Sequence, residues 1–260
     1  PTSTMSLLPP PVAYLRRVSN EAPVLTGDVP VVVPVLMYHH IRPLHPQLSA
    51  KERYFTVTPE AFLAQMTDLV RAGYDPITPD DLWEALQHGT STLPSRPILL
   101  TFDDGFRDQY TYAVPILRRL RIASTFFVVS AASERTGAMS VAQIKELDAS
   151  GLVTIGANTR HHPFLTRLSK AARTKEILGS KQDLEQMLGH PVTSFAYPYG
   201  AISSAVMDEV EAARFHLGFW IQAGSRHVLS SRLRLRRIRV LDRENVVALL
   251  DGFRHATVHP

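Results

Sequence analysis

The apolar run Ile98-Leu99-Leu100-Thr101-Phe102 ends on Asp103-Asp104-Gly105. Residues of that kind in succession form a buried strand, and the two carboxylates stand where it leaves the core. An ionised carboxylate taken out of water without a partner is costly, and a second one beside it adds repulsion. A pair in this place is therefore either an ordinary Asp-Gly turn or a request for a cation.

On either side of this stretch, strands alternate with helices. Further strands are predicted over residues 31–38 (interrupted by Pro34), 124–130, 153–156, 194–197, 217–222 and 235–240. Thr58-Pro59 and Thr78-Pro79 open helices that stop near Gly73 and Gly89. More helices are predicted over residues 110–120, 140–150, 170–188, 203–213 and 244–254. Such alternation is the pattern of an α/β fold with a parallel sheet. Residues 1–30 are Pro-rich and aperiodic, which reads as an extended lead-in. Residues 31–254 then form one domain, and 255–260 a tail.

Composition removes several classes of function. The 260 residues contain no Cys, which excludes disulfides, thiolate nucleophiles and Cys-based metal sites. No apolar run approaches the roughly 18 residues of a membrane span. Residues 1–20 lack the basic head and apolar core of a signal peptide. Much of the net charge of +4 comes from Arg232, Arg234 and Arg236, which alternate with Leu233 and Leu235. That alternation reads as a half-buried strand with a solvated basic face, and no nucleic-acid partner is expected.

Four polar clusters each trail a predicted strand: His39/His40, Asp103/Asp104, Asn158/His162, and Tyr197-Pro198-Tyr199-Gly200. In α/β folds chemistry collects at the carboxyl ends of strands. If these ends converge, a carboxylate, imidazole and an amide oxygen surround one point. That mixture of donors suits Zn²⁺ best, with Ni²⁺, Co²⁺ or Mn²⁺ also compatible. The second carboxylate can take a proton from water, and a His opposite can protonate a leaving group. The chemistry implied is metal-assisted hydrolysis of an ester or amide.

These residues also resemble a known family. Thr101-Phe102-Asp103-Asp104-Gly105 looks like the first motif of the NodB-homology polysaccharide deacetylases, carbohydrate esterase family four. Asn158 to His162, continuing Pro163-Phe164-Leu165-Thr166, is similar to the second motif, normally His-x-x-x-His. Phe195-Ala196-Tyr197-Pro198-Tyr199-Gly200 resembles the third, and Met37-Tyr38-His39-His40-Ile41 the opening strand of the poly-N-acetylglucosamine deacetylase subgroup. The resemblance implies an irregular (β/α) barrel of about seven parallel strands. It also implies an acetylated glycan substrate, and hence a secreted, periplasmic or cell-surface location. By this likeness Asp103 is the base, Asp104 and His162 are metal ligands, and His39 is the acid. The Tyr199 main-chain N–H, beside Pro198, helps to hold the oxyanion.

Three departures qualify the likeness. Asn158 stands where the family has its first metal His, and a neutral amide is a weaker partner for Zn²⁺ than imidazole. His161 could swing in as a substitute, though it is read as structural along with His40, His45 and His190. Ala196 occupies the place of an Arg that orients the base, and Arg237 on a late strand is the proposed replacement. No late Leu-x-His motif is present, which favours the subgroup with an N-terminal acid, His39. The expectation is a metal-dependent N-deacetylase of a β-linked N-acetylglucosamine polymer. The alternative is a catalytically impaired glycan-binding relative with a degraded metal site. A glycosidase pair is disfavoured, because adjacent strand residues point to opposite sides whereas such carboxylates face each other across about 5 Å or more.

Overall fold

The structure is a computed structural model that describes residues 28–132 and 136–255, the last two without their side chains. The expected lead-in up to residue 27 and the tail beyond 255 lie outside the described residues.

In chain order the strands are β1 (Val31–Val32), β2 (Val35–Tyr38), β3 (His40–Ile41), β4 (Thr56–Val57), β5 (Asp75–Pro76) and β6 (Pro97–Phe102). They continue with β7 (Ser124–Val128), β8 (Val153–Ala157), β9 (Ser194–Ala196), β10 (Leu217–Phe219), β11 (Arg226–His227) and β12 (Ile238–Arg239). The helices are α1 (Ala50–Tyr54), α2 (Pro59–Arg71), α3 (Pro79–His88), α4 (Val114–Leu120), α5 (Val141–Ala149), α6 (Lys170–Leu188), α7 (Ser204–Ala212) and α8 (Val246–His255). Seven strands form a curled parallel sheet in the order β10-β9-β8-β7-β6-β2-β12, with β5 paired to the start of β6. The two edges meet at one parallel bridge, Phe219 to Leu235. This is the expected (β/α) architecture.

Period-two alternation sorts β6 onto two cores. Ile98, Leu100 and Phe102 pack under the outer helices. Leu99 faces the interior of the curl with Val35, Phe127 and Phe219. Side chains from α3, Leu82 and Leu86, belong to that same inner cluster. Helix starts follow their caps: Thr58, Thr78 and Ser140 each accept from the backbone N–H three residues on. No helix among the described residues is long and apolar enough to cross a membrane.

Several boundaries differ from the reading of the sequence. Pro34 splits residues 31–38 into two strands, and β1 pairs antiparallel with β11 instead of joining the main sheet. The segment carrying Arg232, Arg234 and Arg236 is not a strand: it follows a 3-10 turn over Leu229–Ser231. Leu233 and Leu235 are nonetheless buried, and Arg234 and Arg236 exposed. α1 was not expected from hydrophobic periodicity, because none of its residues is buried. The predicted helix over 110–120 begins as a π-helical turn, Gln109–Ala113, before α4.

Candidate active site

The carboxyl ends of β2, β6, β8 and β9 open into one cavity of about 480 Å³. Its lining includes His39, Asp103, Asp104, Asn158, His162 and Tyr199, so the four polar clusters do converge. The volume is that of a small-ligand pocket.

Asp103 continues the inward-facing series of Leu99 and Thr101. It meets Arg237, which is wholly buried and binds it through two parallel bonds, Nη1 to Oδ1 at 2.6 Å and Nη2 to Oδ2 at 2.7 Å. Arg237 is fixed in turn by the Trp220 carbonyl at 3.0 Å and Thr101 Oγ1 at 3.2 Å. A fork-to-fork pair of this kind sets the carboxylate plane as well as its charge. Arg237, expected in place of the missing Arg, makes this contact, while Ala196 is buried in the inner cluster.

Asp104 leaves the strand with φ 74°, and so escapes the alternation that would aim it opposite to Asp103. Its Oδ1 accepts from Asn158 Nδ2 at 2.9 Å and lies 3.1 Å from His162 Nε2. Burial alone would raise the Asp104 pKa. The His162 hydrogen bond and the charges of His162, His39 and His40 outweigh it and hold the carboxyl below its usual value. Strain concentrates here: Asp104, Thr159, His162 and Tyr199 are four of the six non-glycine residues with positive φ among those described. Each such conformation costs on the order of 1–3 kcal/mol, which the surrounding structure must over-determine. The β8 loop shows how: Thr159 Oγ1 accepts from the His162 N–H, and the Thr159 carbonyl from Ser130 N–H.

His39 lies across the cavity, its Nε2 3.9 Å from Asp103 Oδ2, a charge contact too long for a hydrogen bond. Burial lowers its pKa, partly opposed by Asp103 and Asp104. Gln109, in the π-helical turn, ties the two strand ends together by donating to the His39 and Asp103 carbonyls at 2.7 and 2.6 Å. Single π turns of this sort recur at functional sites. Tyr199 edges onto His162 at 4.6 Å and stacks on Phe164 at 3.9 Å, and Pro198 is buried beneath it.

The remaining histidines divide. His161 is not a substitute ligand, because it turns outward to Glu176 at 2.8 Å. His190 pairs with Asp148. His40, read as structural, does line the cavity, stacked on Phe106 and bonded to Asp108 Oδ2 at 2.6 Å. Sequence reasoning also missed Gln109, Phe55 and Arg239. The Ser49-x-x-Glu52 capping box that nucleates α1, and so brings Glu52 and Phe55 to the cavity, was legible in the sequence.

No group of three His, Cys, Asp or Glu suited to a metal occurs among the described residues, because the third place belongs to Asn158. Its side chain is buried and its Oδ1 has no hydrogen-bond partner. Reversing the amide brings that oxygen against Asp104 Oδ1, an arrangement of two oxygens that a cation between them makes favourable. A carboxylate, an imidazole and an unpartnered amide oxygen therefore fit a divalent ion.

A curled parallel sheet of seven strands with this cluster at its carboxyl ends defines a (β/α) half-barrel with a carboxylate–imidazole cluster at its rim. Residues 90–218 match the profile described as polysaccharide deacetylase. The chain is 26% identical over 230 residues to YxkH of Bacillus subtilis, a protein named for the same family, covering 88% of this chain and 78% of that one. It is 23% identical over 266 residues to the poly-beta-1,6-N-acetyl-D-glucosamine N-deacetylase of Staphylococcus epidermidis, covering 94% and 91%. The Streptococcus pyogenes deacetylase PplD, solved in complex with acetate, superposes with a TM-score of 0.79 at 26% identity, covering 86% of this chain and 99% of that one. The chain belongs to the polysaccharide deacetylase family.

Proposed function

We propose that the chain is a metal-dependent hydrolase that removes acetyl groups from N-acetylated glycans. The observation that carries this reading is the convergence of Asp103, His39, Asp104, Asn158 and His162 on one cavity. Asp104, His162 and the Asn158 amide oxygen would hold the divalent cation, Zn²⁺ or a similar ion, which supplies polarisation of the acetyl carbonyl and a more acidic water.

The chain's own groups account for the proton traffic. Asp103, held in one orientation by Arg237, accepts the proton of the attacking water. His39, on the other side of Asp103, delivers a proton to the departing amine. The water oxygen ends in acetate and the C–N bond breaks, leaving a free amino sugar. The rigid turn at Tyr199 offers its main-chain N–H to the developing oxyanion.

Relatives named for poly-N-acetylglucosamine support a polymeric substrate outside the cytoplasm, and so a secreted, periplasmic or cell-surface site of action. A second reading, a glycan-binding relative without turnover, is favoured by one observation: Asn158 spends its N–H on Asp104. Acetate release from chitooligosaccharides and an aryl acetate, with metal content of the purified chain, separates the two. The deacetylase reading expects stoichiometric metal, turnover, and a fall of about 10²–10⁴-fold in Asp103→Asn. Bound metal with no acetate from any acetylated substrate rejects it in favour of the binder.

A further inference from the structure

The side chains of Asp103, Asp104 and His162 are each held by a polar partner, but the His39 ring is not. Among the described residues no hydrogen bond reaches either of its nitrogens, and Asp103 Oδ2 at 3.9 Å is too far to steer it. An imidazole that transfers protons is commonly fixed through its second nitrogen by a carboxylate or carbonyl, which sets its tautomer and direction. The next residue has that device: His40 Nδ1 meets Asp108 Oδ2 at 2.6 Å, and Asp108 Oδ1 accepts from the Ile41 N–H at 3.1 Å. For His39 only the main chain is secured, where Gln109 donates to its carbonyl. A ring left to sample its rotamers would face the substrate for only part of the time.

Packing takes the place of the missing bond. The Phe55 ring lies against the His39 ring, with centroids 4.8 Å apart and planes inclined by 53°. Phe55 is itself braced, by the Arg239 guanidinium 4.5 Å from its centre and by the Tyr54 ring at 5.3 Å. Arg239 also lies 5.2 Å over Tyr54, so one cation grips both rings. Among the described residues no carboxylate comes within ion-pair distance of Arg239, which leaves stacking to position it.

The backbone delivers Phe55 to this place. Its carbonyl accepts from the His40 N–H at 3.0 Å, at the start of the β3–β4 pair in which His40 faces Thr56. Phe55 belongs to neither hydrophobic core, and α1 before it buries none of its residues. The contact with His39 is therefore not a by-product of core packing.

We propose that Phe55 is a positioning residue for the acid: braced by Arg239, it holds the His39 ring in line with the departing amine. This rests on the deacetylase reading, in which the His39 proton passes to the amine nitrogen as the C–N bond breaks. Leaving groups separate this role from a merely structural one. A nitrophenyl acetate releases a phenolate that is stable without a proton, whereas the amine of an N-acetylated sugar must be protonated as it leaves.

The test measures kcat and KM for acetate release from chitooligosaccharides and from nitrophenyl acetate. The proteins are the metal-loaded parent chain, Phe55→Leu, His39→Gln and the double variant. Phe55→Leu is expected to lose about ten- to a hundredfold in kcat on the oligosaccharide, with KM little changed and a far smaller loss on the aryl ester. His39→Gln should lose about 10²–10⁴-fold in the same pattern. Adding Phe55→Leu to it should cost nothing further, because Phe55 acts only through the imidazole. Phe55→Tyr, which keeps the ring, should restore most of the rate. Independently of metal and turnover, NMR couplings that report χ1 of His39 should show one rotamer in the parent chain and averaging in Phe55→Leu.

Equal losses on both substrates, a full further loss in the double variant, or a His39 rotamer that stays fixed in Phe55→Leu overturns the proposal and leaves the deacetylase reading standing. No acetate from the oligosaccharide in the parent chain rejects that reading, and the role of Phe55 with it. Arg239→Met removes the brace but keeps the ring, and should show the same selective loss at reduced size. It decides the matter if Phe55→Leu does not fold, and equal losses on both substrates in Arg239→Met then overturn the proposal.

Discussion

Replacing Arg237 by Met tests the organisation of the site most directly. The side chain is wholly buried and bonds both oxygens of Asp103 at 2.6 and 2.7 Å. Met fills similar volume but leaves a buried carboxylate without its counter-charge. Removing one partner of such a pair costs about 3–5 kcal/mol, whereas an apolar replacement of both partners is often near neutral. Arg237→Met should therefore lose about 3–5 kcal/mol in urea denaturation at neutral pH, a large share of a domain's total stability. Asp103→Asn combined with Arg237→Met should lose clearly less than the sum of the two single variants, because each single variant strands the other group. In acetate release, Arg237→Met should fall by about a hundredfold, since Asp103 keeps its chemistry but not its orientation. A loss below about 1 kcal/mol, or strict additivity in the double variant, would show that the fork-to-fork contact does not anchor Asp103.

Two further outcomes follow from other buried groups. His227 is fully buried in β11, its Nε2 2.9 Å from the Val33 carbonyl, and burial pushes its pKa down to about 4. It stays neutral in the fold while the unfolded chain protonates near 6.5, so its contribution of about 3 kcal/mol is complete above pH 6.5 and lost as pH falls toward 4. His227→Gln, which keeps a donor for Val33, should flatten urea midpoints across that window; equal slopes in both proteins would contradict this. Asn158→His should raise zinc affinity about tenfold or more in calorimetric titration, imidazole being the stronger donor. Unchanged affinity would mean that position 158 does not ligate.

How much of this was legible in the sequence depended on the range of the interaction involved. Apolar strands ending in polar clusters revealed the sheet and placed four clusters on one rim, because burial and strand ends are local properties. The caps at Thr58, Thr78 and Ser140 were equally local. Arg237 was placed by its late strand, but its two bonds to Asp103 join residues 134 apart and depend on the sheet curling until Phe219 meets Leu235. The Arg/Leu alternation already placed Arg234 and Arg236 in solvent, whereas only the fold shows that Arg239 lies over Phe55 and Tyr54. Gln109 gave no signal at all, since a π turn has no side-chain pattern of its own.

The amide at position 158 also changes how the site exchanges protons. Asp104 Oδ1 accepts from Asn158 Nδ2 at 2.9 Å and lies 3.1 Å from His162 Nε2. A cation in that place needs a ring nitrogen of His162 free of its proton and the Asn158 amide turned to its oxygen. A neutral imidazole meets the first need by carrying its proton on the other ring nitrogen, and the amide meets the second by rotation. A histidine at 158 would add a second titrating ligand, and so a steeper dependence of metal affinity on pH. As a ligand on the proposed reading, Asn158 would exchange binding strength for a site that competes less with protons. The positive-φ backbone at Asp104, Thr159 and His162 keeps the three donors facing one point in either arrangement. On the proposed reading the fold holds the ligand geometry in advance, and the single amide would set how firmly a cation is kept within it.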